Sequence, residues 1–90
     1  MFENLEQLIK TIRKRKNSSP DTSYTNKLLN DKNLSVLKVK EEISELIESV
    51  EKNSNKIHEA ADVMYHLMVY LEANNIKIED VMNELKKRQK

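Results

Sequence analysis

The chain has no cysteine, glycine or tryptophan, and its one proline is Pro20. Without cysteine there is no disulfide, no thiolate metal site and no cysteine nucleophile. Two histidines are too few for an ordinary structural zinc site. Strand-and-turn architectures lean on glycine at positive φ, so its absence points to helices joined by Asn, Ser and Asp turns. The expected fold is all-α, with four to five helices in a single domain spanning 1–90. No apolar run approaches the roughly 20 residues of a membrane span. The acidic, amphipathic MFENLEQLIK start lacks the layout of a signal peptide, so a cytoplasmic protein with no membrane partner is expected. Charged residues make up 34% of the chain yet nearly cancel, to +1, which gives no overall attraction to nucleic acid. No nucleic-acid partner is expected.

The charges that are present are segregated. Residues 10–16, KTIRKRK, are strongly basic, whereas 41–51 carry glutamates and no basic residue. Two acidic clusters, Glu41-Glu42-x-x-Glu45 and Glu59-x-x-Asp62, flank the polar run Glu51-Lys52-Asn53-Ser54-Asn55-Lys56. Carboxylates three apart on a helix share a face, and the polar run suits an αα-hairpin turn. Folding about position 53 sets Glu45 opposite Asp62 and Glu48 opposite Glu59. Such a cluster repels itself unless a cation sits in it. A hard divalent ion with oxygen ligands, Mg²⁺ above all, is the simplest candidate. The plainer alternative is a solvated glutamate face.

Helices are expected over 2–16, briefly from 25, from 33 or 35 to 51, over 57–74 and over 78–88. Leu5, Leu8, Ile9 and Ile12 form the first apolar stripe. Arg13 to Lys16 complement that helix's C-terminal dipole or face an anionic ligand. Hydroxyls at 23–25 and the amine of Lys27 either cap a helix start or offer donors to phosphate or ribose. Asn33 or Ser35 is expected to cap the next helix, with Val36, Val39, Ile43, Ile47 and Val50 as its stripe. The 57–74 helix is apolar nearly all round, more than one short chain covers, so a homodimer with a shared helical core is expected. Asp62 within that apolar seam is costly unless paired or bound to a cation. His66 is either a structural hydrogen-bond partner of Asp62 or Tyr65, or has a water-activating or phosphate-contacting role. Val81, Met82 and Leu85 are expected to pack the last helix onto the core.

The acidic pattern resembles the metal-binding signature of the all-α nucleoside-triphosphate pyrophosphohydrolase (MazG-like) superfamily. Within it, LEQLIKTIRKRKNSSPDTSYTNKLL (5–29) and EAADVMYHLMVYLEANNIKIEDVMNEL (59–85) are similar to the phosphoribosyl-ATP pyrophosphatase branch of histidine biosynthesis. That resemblance implies a dimeric helical bundle hydrolysing phosphoribosyl-ATP to phosphoribosyl-AMP and pyrophosphate with Mg²⁺. It puts Glu42, Glu45, Glu59 and Asp62 at metal-ligand positions. Glu41 and Glu45 are the catalytic candidates, Glu41 as the residue that orients a water or helps hold a second ion. Arg15 and Lys27 become phosphate contacts, with Tyr24 and His66 as further substrate-binding candidates. The chain departs from the family in three places. Lys40 stands where glycine is usual, Ile43 where alanine is frequent, and Asn74-Asn75 replaces a glycine-containing turn. Two other functions compete: a house-cleaning pyrophosphohydrolase for other nucleoside triphosphates, and a non-enzymatic helical dimerisation module. The module predicts no Mg²⁺-dependent gain in thermal stability.

Overall fold

Five helices follow one another in the computed structural model, which describes residues 1–89: α1 (Glu3–Arg15), α2 (Tyr24–Asn30), α3 (Lys32–Lys52), α4 (Lys56–Ala73) and α5 (Ile78–Arg88). No strand occurs among the described residues, so the fold is all-α. None of these helices is long and apolar enough to cross a membrane.

The absence of glycine is met by asparagine. Among the described residues three have positive φ, Asn53, Asn55 and Asn75, and each lies in a turn between helices. Asparagine tolerates the left-handed region better than other β-carbon-bearing residues, because its short amide bonds locally to the backbone. Asn53 ends α3 in that conformation, and the Ser54 amide reaches back to the Ser49 carbonyl at 3.0 Å. Such a C-terminal motif satisfies carbonyls that a helix end leaves open. Asn75 does the same service before α5, at the turn where the resembled family uses glycine.

The core is small and lies where α1, α2 and α4 meet. Ile12, Leu28 and Val69 are fully buried, with Ile9 and Met68 beside them. The short α2 starts at Tyr24 because Ser23 caps it, its hydroxyl accepting from the Asn26 amide at 3.1 Å. The capping alternative for this hydroxyl group is therefore the one realised. The α3 cap differs from expectation. Asp31 takes that role, its carboxylate accepting from the Leu34 amide at 3.0 Å, and Ser35 is buried inside the helix. Asp31 alone separates α2 from α3, so it is the only position from which a cap can act.

Packing of α3 also differs. Its buried residues are Ser35, Glu42 and Ser49, spaced seven apart, while Ile43, Ile47 and Val50 are exposed. On α4 the exposed apolar residues are Ile57, Met64 and Leu67. The α3–α4 hairpin therefore turns a polar strip inward and leaves apolar stripes outward.

α5 meets the core only through its first residue, the half-buried Ile78. None of its residues is buried, and Met82 and Leu85 are about half exposed. Ion pairs supply the rest of its anchorage. Arg13 of α1 donates through Nε to Glu72 of α4 at 2.7 Å and through both terminal nitrogens to Glu79 of α5 at 2.7 and 2.9 Å. Lys16 reaches the other Glu72 oxygen at 2.9 Å. A groove of about 750 Å³, floored by Phe2, Leu5, Ile9, Ile78 and Met82, stays open between α1 and α5. A planar fork matched to two carboxylates fixes geometry as well as charge.

Arg13 holds the Glu79 carboxyl down to about 2. A carboxyl lowered on folding stabilises the native state above its unfolded pKa, and that contribution is lost as pH falls towards the folded value. Glu79 anchorage is thus complete above about pH 4.5 and gone near pH 2. Glu79→Gln should speed amide hydrogen exchange across 78–88 at neutral pH and leave 57–73 unchanged. Uniform acceleration, or none, would contradict the ion-pair account of α5.

Candidate metal and substrate site

The hairpin between α3 and α4 brings Glu42, Glu45 and Glu59 together, with ligand atoms within 4.8 Å of one another. Glu59 also belongs to a second such group, with His58 and Asp62 on α4. The four residues expected as metal ligands therefore lie in two overlapping clusters that share Glu59. Their register differs from the expected one, for Glu45 meets Glu59 rather than Asp62. Glu48 is outside the cluster, ion-paired with Lys52 on the solvent side. The difference is about one helical turn, and it follows from where the two left-handed asparagines place the bend.

Burial within the cluster is uneven. Glu42 is 8% exposed, whereas Glu45, Glu59 and Asp62 are half-buried. One carboxylate oxygen each of Glu42 and Glu59 is buried with no hydrogen-bond partner among the described residues. Unpaired buried acceptors are rare because their desolvation goes uncompensated. Burial first, and the Glu45 carboxylate next, push the Glu42 pKa above the usual carboxylate range. Glu59 is raised for the same reasons, with Asp62 adding to the repulsion. An all-oxygen donor set with open lone pairs and raised proton affinity suits a hard divalent cation.

Glu41 lies elsewhere. It is exposed, 3.4 Å from the ammonium of Lys38, and is not part of either cluster. Lys40, at the family's glycine position, is exposed too, and the salt bridge to Glu41 comes from Lys38. The Lys38 pKa is raised, chiefly by Glu41 and then by Tyr24. Lys38 thus sets a positive charge at the acidic edge of α3. Sequence reading passed over it, although its place one turn before Glu41 and Glu42 was a usable signal.

His66 is 8% exposed. Its Nδ1 lies 2.9 Å from the Asp62 carbonyl. A carbonyl only accepts, so Nδ1 carries the proton and Nε2 is left to face the interior. Nε2 is buried without a hydrogen-bond partner among the described residues. Tyr24 and Tyr65 present their rings edge-on to His66, with centroids 6.2 and 4.9 Å away. The Tyr65 hydroxyl bonds the Thr25 hydroxyl, which ties α2 to α4. Tyr24 and Tyr65 thus pack about His66, whose ring is tied to α4 at the Asp62 carbonyl. Lys27 is exposed on α2, and Arg15 is exposed at the end of α1.

A family model described as phosphoribosyl-ATP pyrophosphohydrolase matches residues 5–89. A phosphoribosyl-ATP pyrophosphatase of Clostridium acetobutylicum is 43% identical over 90 residues, covering 96% of this chain and 81% of the relative. One from Caulobacter sp. (strain K31) is 38% identical over 91 residues, covering 99% and 85%. A histidine biosynthesis bifunctional protein of Pyrococcus furiosus is 37% identical over 86 residues, covering 96% of this chain and 41% of that longer protein. No solved structure matches the chain.

Replacing Glu42 by Gln removes the most buried negative charge. The metal-free protein should then melt higher, by about 3 °C or more, and should lose most of the melting-temperature gain that Mg²⁺ confers on wild type. Because raised carboxyl pKa values favour the folded state in acid, the difference between variant and wild type should shrink as pH falls from 7 towards about 4.5. Lower stability of Glu42→Gln at pH 7 would mean that the carboxylate is held by a partner after all.

Proposed function

Since the chain belongs to the phosphoribosyl-ATP pyrophosphohydrolase family, we propose that its Glu42–Glu45–Glu59–Asp62 grouping is the Mg²⁺ site of that reaction. The enzyme hydrolyses phosphoribosyl-ATP to phosphoribosyl-AMP and pyrophosphate, a step of histidine biosynthesis. The observation that carries the site assignment is the pair of buried, unpartnered carboxylate oxygens on Glu42 and Glu59. When bound, the ion supplies positive charge for the phosphate oxygens and for the leaving pyrophosphate.

The remaining roles belong to the chain's own groups. Water must lose a proton as the anhydride between the α- and β-phosphates opens. Glu41, outside the ligand clusters, is the carboxylate we assign to orient that water and take its proton, with Glu45 as the alternative. Phosphate contacts fall to Arg15 and Lys27. Neither has an ion-pair partner among the described residues, whereas the neighbouring Arg13 and Lys16 are both committed to glutamates. Lys38 extends this positive rim to the edge of the cluster. Tyr24 and His66 supply a stacking edge and a buried ring nitrogen for the nucleotide.

We further assign the exposed apolar stripes, Ile43, Ile47 and Val50 of α3 with Ile57, Met64 and Leu67 of α4, to a homodimer interface. Apolar surface on this scale marks association rather than a solvated face. The enzyme is placed in the cytoplasm, acting on a nucleotide and on neither nucleic acid nor membrane.

Two measurements test these assignments. Pyrophosphate release should require both Mg²⁺ and phosphoribosyl-ATP and drop by roughly 100-fold or more in Asp62→Asn and Glu59→Gln. Equal release from ordinary nucleoside triphosphates would move the chain to a house-cleaning role, and no release from any of them would favour a binding module. In light scattering the wild type should weigh twice 10.6 kDa, and Ile47→Glu/Met64→Glu should weigh 10.6 kDa. A monomeric wild type would remove the dimer.

A further inference from the structure

We propose that Asn26 is a positioning residue for substrate binding, its buried carboxamide tying the basic end of α1 to α2 and so fixing Lys27 and Tyr24 relative to Arg15. The inference rests on the reading of Arg15 and Lys27 as phosphate contacts. A seven-residue helix such as α2 has little stability of its own, so its orientation depends on what grips it. Asn26 is 1% exposed, as buried as Ile12 and Leu28, and meets the end of α1. Its Nδ2 donates to the Arg15 carbonyl at 2.7 Å and to the Lys16 carbonyl at 3.4 Å. Its Oδ1 accepts from Asn30 Nδ2 at 3.0 Å, and Asn30 also reaches the Asn26 carbonyl at 2.9 Å. Donors and acceptor are thus all engaged, and a satisfied buried polar network specifies one arrangement where an apolar contact would tolerate several.

The bonds have an electrostatic consequence as well. Arg15 and Lys16 offer the last carbonyls of α1, the negative end of the helix dipole. A helix C-terminus is a poor neighbour for phosphate. The Asn26 amide donates to both carbonyls, alongside the Ser18 amide on that of Arg15 at 3.0 Å, and so offsets part of that negative end beside the Arg15 and Lys27 side chains. Lys27 follows Asn26 directly, and Tyr24 lies two residues before it, so any rotation of α2 moves both. An aliphatic residue of similar volume would fill the space without holding this relation.

Steady-state kinetics with phosphoribosyl-ATP and Mg²⁺ decide the matter through a double-mutant cycle. Lys27→Ala should raise KM about tenfold or more, as loss of a charge-assisted phosphate contact does. Asn26→Ala should raise KM by roughly fivefold with kcat changed by less than about twofold. The double variant should match Lys27→Ala within about twofold, because a misplaced lysine has already lost its contact. Asn30→Ala, at an exposed position, should shift KM in the same direction by a smaller factor and show the same non-additivity. It carries the test if circular dichroism shows Asn26→Ala to be unfolded. Multiplicative effects in these cycles, or unchanged KM in both asparagine variants, would overturn the positioning role while leaving the Lys27 contact in place. Unchanged KM in Lys27→Ala would overturn the phosphate reading, and this inference with it.

Discussion

Mutual repulsion among Glu42, Glu45 and Glu59 is the constraint on which the arrangement turns. Three carboxylates within 4.8 Å of one another, one of them buried, do not hold a helix pair together. They push it apart, and the fold has to hold it from elsewhere. The turn at Asn53 and Asn55 closes one end of the hairpin. Buried Ser35 and Ser49 flank Glu42 with small side chains, and the Ser49 hydroxyl satisfies itself on the Leu46 carbonyl at 2.7 Å. Ile12, Leu28 and Val69 then pin α4 from the opposite side. A strip that would ordinarily be apolar has been given over to charge. Stability is traded there for a site that a cation completes, the usual conflict between a strained centre and a firm scaffold.

That trade explains two other features. A core confined to a few residues of α1, α2 and α4 is thin for a chain of this length, and α5 adds only the half-buried Ile78 at its edge. The chain supplements it with the Arg13–Glu72–Glu79 network and with apolar stripes turned outward. Charge is sorted accordingly. Arg13 and Lys16 are spent on structure, while Arg15 and Lys27 have no ion-pair partner among the described residues.

Much of this was legible in the residues. Helical periodicity located all five helices to within a few positions, and the lack of glycine correctly pointed to asparagine turns. The acidic spacing brought out Glu42, Glu45, Glu59 and Asp62 because i, i+3 pairs must share a helix face. Register was another matter. The phase between two helices depends on the dihedrals of the connecting residues, and the run Asn53-Ser54-Asn55 does not reveal which of them are left-handed. The error of one turn put Glu48 inside and left Glu59 facing the wrong partner. The packing of α5 was hidden for a different reason: Val81, Met82 and Leu85 make the same stripe whether it meets a core or an open groove. Asn26 was invisible because its importance lies in a contact across the chain, to the Arg15 carbonyl, and not in any local pattern, whereas Lys38, one turn before Glu41, was legible and passed over.

The most direct test of the central claim is to locate the cation. Crystals grown with Mn²⁺ in place of Mg²⁺ give an anomalous signal that marks the ion independently of any assumed ligand. The account predicts a peak at coordinating distance from carboxylate oxygens of Glu42, Glu45, Glu59 and Asp62. A peak elsewhere, for instance against Glu72 and Glu79, with these four carboxylates free of metal, would contradict it.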